Sequence, residues 1–174
     1  MPNLSQIDRV HFFEGKLLTV ADLKQEQDYL VARFRRHNRF LHGWGIVAGL
    51  TVSTEGNTSI TVEPGLAIDC AGNELVLPEP AHVQLEGILG KQFVTIGYCE
   101  LLVSLQPAPS GGTEFSRVRE AAKVELQDSN PSLGHRGKGL GTPGCGLQHP
   151  LCLATLSQQG SRWRLVSSKR TARR

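Results

Sequence analysis

Cys145, His149 and Cys152 fall in the pattern C-x3-H-x2-C within a glycine-rich stretch, and His135 lies upstream in the same stretch. Two thiols and two imidazoles are the ligand types that close a tetrahedron around structural zinc. Against that reading, Cys152 belongs to the strand-like run Leu151–Leu156, where a free Cys packs as a small hydrophobe. The expectation is therefore no metal and no cofactor, with Cys145 and Cys152 as free thiols. His42 beside Trp44 invites a catalytic reading, but no nucleophile, acid or glycine elbow accompanies the pair. His42 reads instead as a helix-terminal side chain over the last carbonyls, and Trp44 as core. Glu63 and Asp69 lie either side of Pro64-Gly65 at a spacing that defines no acid/base pair. Gly137-Lys138-Gly139-Leu140-Gly141 lacks both the Gly-Lys-Ser/Thr ending of a phosphate loop and a preceding strand. No catalytic residue is expected, and the chain reads as a non-enzyme.

Whatever these residues do, a folded domain must position them. A chain of 174 residues suggests one domain with a real hydrophobic core. At 39% hydrophobic and 20% charged residues it is globular rather than disordered. The four Cys are too few and too scattered for a disulfide scaffold. The net charge of +3 is smaller than the four cations of the tail Lys169-Arg170-Thr171-Ala172-Arg173-Arg174. The body is thus near neutral, which argues against a nucleic-acid-binding face. The expected division is a β-rich body over 1–168 and a basic tail over 169–174. The segment Met1–Gln6 lacks the features of a signal peptide, and no apolar run is long enough to span a bilayer. Residence in the cytoplasm, or exit by a route such as lysis, is expected, with no membrane insertion.

Arg9–Phe13 reads as a short strand or extended arm, followed by a turn at Glu14-Gly15-Lys16. Thr19 with Asp22 three residues on is a helix start. One uninterrupted helix is expected over Val20–Leu41, packed on a sheet through Leu23, Leu30, Phe34 and Leu41, which share a face. Arg33, Arg36 and Arg39 crowd its C-terminal half. Gly43 suits a C′ stop in left-handed conformation, after which His42-Gly43-Trp44-Gly45 reverses into a strand over 46–53. Hairpins are expected around 54–58 and 71–74, a strand within 92–105, a strand or short helix over 115–126, and a closing hairpin across 158–160. The 134–146 segment, with six glycines, reads as a loop or a partner-ordered segment. The sum is an α+β, mainly β fold. One long N-terminal helix lies beside an antiparallel sandwich or partial barrel of seven to nine short strands.

The blocks Val10-His11-Phe12-Phe13-Glu14-Gly15-Lys16-Leu17-Leu18-Thr19-Val20-Ala21-Asp22-Leu23, Glu26–Tyr29 and His37–Leu50 resemble a small protein family linked to bacteriophage tails and extracellular contractile injection systems. Val62–Leu75 continues the pattern, and Ser116–Glu120 does so more weakly. The resemblance covers about the first 80 residues well and the remainder thinly. It implies a structural component of a phage-tail-like particle that contacts other particle proteins; association with baseplate, spike or fibre is expected, as a homo-oligomer or in multiple copies per particle. It further implies assembly in the bacterial cytoplasm, then residence in a released or cell-associated particle. The residues expected to serve structure or partner contact are Phe12, Phe13, Gly15, Arg33, Arg36, Arg39 and the His42–Gly45 reversal. A zinc-stabilised binding or regulatory domain and a hydrolase are the competing classes.

Overall fold

The computed structural model describes residues 6–109, 111–132, 135, 141–160 and 162–168. The fold is mainly β with one helix and antiparallel sheets, one of them curled into a half-barrel. Ten strands are found among the described residues, more than the seven to nine expected. The helix α1 spans Val20–His37 and the strands β1 to β10 span Gly45–Gly49, Val52–Glu55, Ser59–Val62, Gly65–Ile68, Glu74–Leu77, Ala81–Gln84, Lys91–Pro107, Thr113–Gln127, Leu151–Gln159 and Arg162–Ser168. They form three sheets ordered β1-β4-β5, β2-β3-β6 and β10-β9-β7-β8.

The strand expected over 46–53 is two strands in two sheets. Leu50 has φ of 56°, a conformation that costs an L-residue roughly 1–2 kcal/mol. Pro64 breaks the facing chain at the same level. Leu50 N–H donates to the Pro64 carbonyl and Glu63 N–H to the Thr51 carbonyl, so the ladder continues around the corner. The result is one long hairpin, bent so that β1 pairs with β4 and β2 with β3. The bend drives Leu50 into the core, where it is 1% exposed, and that burial offsets the strain. Beyond the bend, β10 lies against β2, and β5 against β7 and β8. All three sheets thereby share one apolar cluster, in which Ile60, Leu75, Val94, Ile96, Leu153 and Leu156 are fully buried. Trp163 joins it, and its backbone N–H donates to Asn57 Oδ1 at the tip of the β2–β3 hairpin.

Strands β7 and β8 are much longer than the short strands expected, and 115–126 resolves as strand. Their first and last thirds differ. Residues 92–96 of β7 are buried, whereas Glu100–Leu102 and all of 113–120 are exposed, so the far half of the hairpin projects as a two-stranded ribbon.

The helix begins as its sequence requires. The Thr19 hydroxyl accepts from Asp22 N–H, and Asp22 Oδ2 accepts from Thr19 N–H. Lys16 Nζ is 2.8 Å from Asp22 Oδ1. Lys16, then Thr19, hold the Asp22 carboxyl at about 2, down from its ordinary 3.8. A carboxylate with a depressed folded pKa contributes stability that is complete above the unfolded pKa and is lost as pH falls through the folded one. The first helical turn should therefore stay closed to about pH 4 and open toward pH 2. An NMR titration of Asp22 checks this, and a midpoint near 4 would contradict it.

The helix ends differently from expectation. Its last turn, Asn38–His42, is a π-helix, and Gly43 N–H donates to the Asn38 carbonyl at 2.9 Å. Its packing also departs from the expected sheet-facing stripe. No residue of α1 is buried, and Leu23, Leu30, Phe34 and Leu41 are 55%, 45%, 64% and 66% exposed. Polar groups attach the helix instead. Asn38, buried at the helix end, donates through Nδ2 to the Gly72 carbonyl. Arg35 lies over the Tyr98 ring, with Nη2 3.5 Å from Glu100 Oε1.

Candidate functional site

Two features stand out on this scaffold: an open apolar surface and a cluster of thiols and imidazoles. The surface is formed by α1 and the β7–β8 ribbon. A groove of about 940 Å³ separates them, with Leu30, Val31 and Arg35 on one wall and Leu102, Phe115 and Val118 on the other. Glu100 and Glu120 face each other across the ribbon, a pairing that like charges disfavour. Tyr98 relieves it, with its hydroxyl 2.8 Å from one carboxylate and 3.0 Å from the other. Burial, then the two acceptors Glu100 and Glu120, push the Tyr98 hydroxyl pKa upward, so it stays protonated as a donor.

The N-terminal segment is an irregular arm rather than a strand, with the expected turn at Glu14-Gly15. Val10 is buried and anchors it, whereas Phe12 and Phe13 are both exposed, at 50% and 62%. Strand alternation would have turned one of them inward. Arg33 contacts Tyr29 on its own helix, and Arg36 is exposed. Arg39 is not free for a partner. Its Nε donates to the Gly144 carbonyl at 3.1 Å, so it straps the 141–149 segment to the helix end.

The second feature lies under that strap. Cys70, His135, Cys145 and His149 bring one ligand atom each to within 4.8 Å of one another. Cys70 Sγ is 3.3 Å from His135 Nδ1, and Cys145 Sγ is 3.5 Å from His149 Nε2. Cys70 is fully buried, and burial pushes its thiol up to about 11. It follows Asp69, whose buried carboxylate accepts from Ala71 N–H, Asn73 N–H and Asn73 Nδ2. That turn fixes where the sulfur points. The opposite wall comes from the 141–149 segment. Gly146 N–H donates to the Cys70 carbonyl, and a Cβ on Gly144 would lie 2.5 Å from Cys70 Cα. Trp44, buried as expected, stacks edge-on against His135.

Three of the four residues singled out for metal chemistry thus converge, and the fourth does not. Cys152 is buried in β9, its sulfur 3.5 Å from the Ala154 carbonyl. Cys152 thus packs in the strand as its apolar run suggested, and Cys70 stands fourth in the cluster. Proximity of 70 to 145 follows from loop closure, which local spacing does not encode. Cys70 was visible only as a cysteine beside a tight Asp-x-x-x-Asn turn. His42 does not cap carbonyls through its ring, which instead packs on His37 with their Nε2 atoms 3.2 Å apart. Glu63 is exposed while Asp69 is buried and saturated, so the two carboxylates form no pair. The 137–141 motif falls largely outside the described residues, as do residues 1–5, the rest of 133–140 apart from His135, and the 169–174 tail. Among the described residues no helix is long and apolar enough to cross a membrane.

No protein-family model matches the chain, and no curated protein matches it. The resemblance to the phage-tail-linked family therefore rests on the residues quoted for it. Among solved structures, one described as "Crystal structure of TssK" is similar, with a TM-score of 0.46 and 14% sequence identity. The similarity covers 92% of this chain and 41% of that one, so the chain spans about two-fifths of that structure's length. The fold assignment itself rests on strand order and register.

Proposed function

We propose that the chain is a non-enzymatic assembly component of a phage-tail-like contractile particle, docking other particle proteins through α1, the N-terminal arm and the β7–β8 ribbon. The observation that carries this reading is the uncovered apolar face of α1. Fully burying a Leu or Phe contributes about 1.5–3 kcal/mol, so Leu23, Leu30, Phe34 and Leu41, which are between about half and two-thirds exposed, leave roughly 3–6 kcal/mol unrealised. An isolated helix of this length is marginal in water, and a projecting two-stranded ribbon is too. Both gain order when a partner fills the groove between them. Exposed Phe12, Phe13, Leu17 and Leu18 extend the apolar surface from the helix start. Arg33 and Arg36, both exposed on the same helix, suit carboxylates on a partner. The phage-tail resemblance names the kind of particle, and assembly in the bacterial cytoplasm before release belongs to the same proposal.

The test uses the double variant Leu30→Asp, Phe34→Asp. Because both side chains are already exposed, its melting temperature should match the wild type within a few degrees. Its recovery in particles purified from producing cells should fall at least ~10-fold, the effect of losing about 1.4 kcal/mol of docking free energy. A variant that unfolds would show that the face packs within the chain. Wild-type protein that never co-purifies with particles, while particles assemble and fire without it, would sink the assembly role itself.

A further inference from the structure

We propose that Cys70, His135, Cys145 and His149 hold one structural zinc ion, which staples the 141–149 segment and His135 onto the turn that follows β4. This site stands independently of the assembly role. Zinc–sulfur bonds of about 2.3 Å and zinc–nitrogen bonds of about 2.0 Å set the edges of a tetrahedron at roughly 3.3–3.8 Å. The Cys70–His135 and Cys145–His149 approaches, 3.3 and 3.5 Å, already match such edges. The remaining separations, all within 4.8 Å, need only a small contraction.

The surroundings are those of ligands held for a metal. His149 Nδ1 lies 3.0 Å from the Pro150 carbonyl, an acceptor only. Nδ1 therefore carries the proton, and the Nε2 lone pair faces Cys145 and the centre of the cluster. Orientation of a metal-binding imidazole by a carbonyl on its other nitrogen is the usual outer arrangement at such sites. Leu147 N–H is directed at Cys145 Sγ at 3.4 Å, a donor suited to a thiolate. Two thiolates and a divalent cation sum to zero charge, which removes the cost of a charged group beside fully buried Cys70. Mixed sulfur and nitrogen ligands exclude magnesium and calcium, which take oxygen. Four protein ligands leave no open position for water, so the ion is structural rather than hydrolytic. Cys70 and Cys145 are far apart in sequence, and a cross-link closing so long a loop constrains the unfolded chain strongly. Apart from the ion, 141–146 is tied to the helix end and the Cys70 turn by bonds to the His42 carbonyl, to the Cys70 carbonyl and from Arg39.

The experiment is elemental analysis of the full-length, untagged protein, made in zinc-replete medium and purified without chelators. About one zinc per chain is expected. Cobalt replacing it should show the intense visible bands of tetrahedral coordination together with a thiolate charge-transfer band. Cys145→Ser and His149→Ala should each lower zinc content ~10-fold or more, while Cys152→Ser should leave it unchanged. If the ligand variants fail to fold, the cobalt spectrum of the wild type decides. Wild-type protein that carries no zinc and gains no colour with cobalt overturns the site, as does metal lost with Cys152→Ser but kept with Cys145→Ser.

Discussion

Gly43→Val is expected to lower stability by about 3–5 kcal/mol, close to the whole margin of a marginally stable domain. Gly43 sits at φ 80°, ψ −144°, a region open essentially to glycine alone and distinct from the left-handed helical cap that its sequence position suggests. A Cβ there would lie 2.6 Å from the Thr142 carbonyl oxygen and 2.7 Å from two backbone nitrogens. Those neighbours are main chain and cannot swing aside, since Gly141 N–H is bonded to the His42 carbonyl at 2.6 Å. Gly43→Ala should therefore cost nearly as much as Gly43→Val. Gly15→Ala is the control. Its φ is 81°, but nothing lies within 4 Å of the added carbon, so only the backbone strain of about 1–2 kcal/mol remains. Urea unfolding of the three variants checks the order. Equal losses for Gly15→Ala and Gly43→Ala would show that the Thr142 contact is not tight.

Asp69→Ala should be comparably damaging, at about 3–5 kcal/mol. The carboxylate is 1% exposed and ties Ala71 N–H, Asn73 N–H and Asn73 Nδ2 at 2.9, 2.8 and 2.7 Å. Removing it strands donors where water has little access, which costs more than the bonds themselves contributed. Asp69→Asn is the sharper variant, because an amide offers one acceptor oxygen and presents N–H to a donor. It should recover only part of the loss. The turn also carries Gly72, the acceptor for Asn38 at the helix end, and Cys70. Local loosening should therefore appear as faster amide exchange at Asn38–Gly43 as well as at 69–74. A loss under about 1 kcal/mol with exchange unchanged would mean that the turn holds without its carboxylate.

Much of this architecture was legible in the residues because it is local. The Thr19–Asp22 capping box, the turn at Gly15, the hairpin turns near Gly56 and Gly72, the reversal at Gly43 and the closing β9–β10 hairpin follow from side chains a few positions apart. Burial of Trp44 followed from an aromatic entering a strand.

Tertiary structure decided the rest. Leu23, Leu30, Phe34 and Leu41 share a helical face by periodicity alone, but periodicity records only that the face is apolar, not what covers it. In the folded chain, Arg35 and Asn38 hold the helix at its polar contacts, and the stripe stays open. The break at Leu50 was equally hidden, because a non-glycine residue gives no local sign that burial will compensate its positive φ. The choice between Cys70 and Cys152 turned on a loop closure of many tens of residues. Spacing within 145–152 spoke for Cys152, whereas the strand pleat turned that thiol into the core and the Asp69 turn aimed Cys70 at His135. Ligand types are a property of sequence, but their convergence depends on which distant turns the fold brings together.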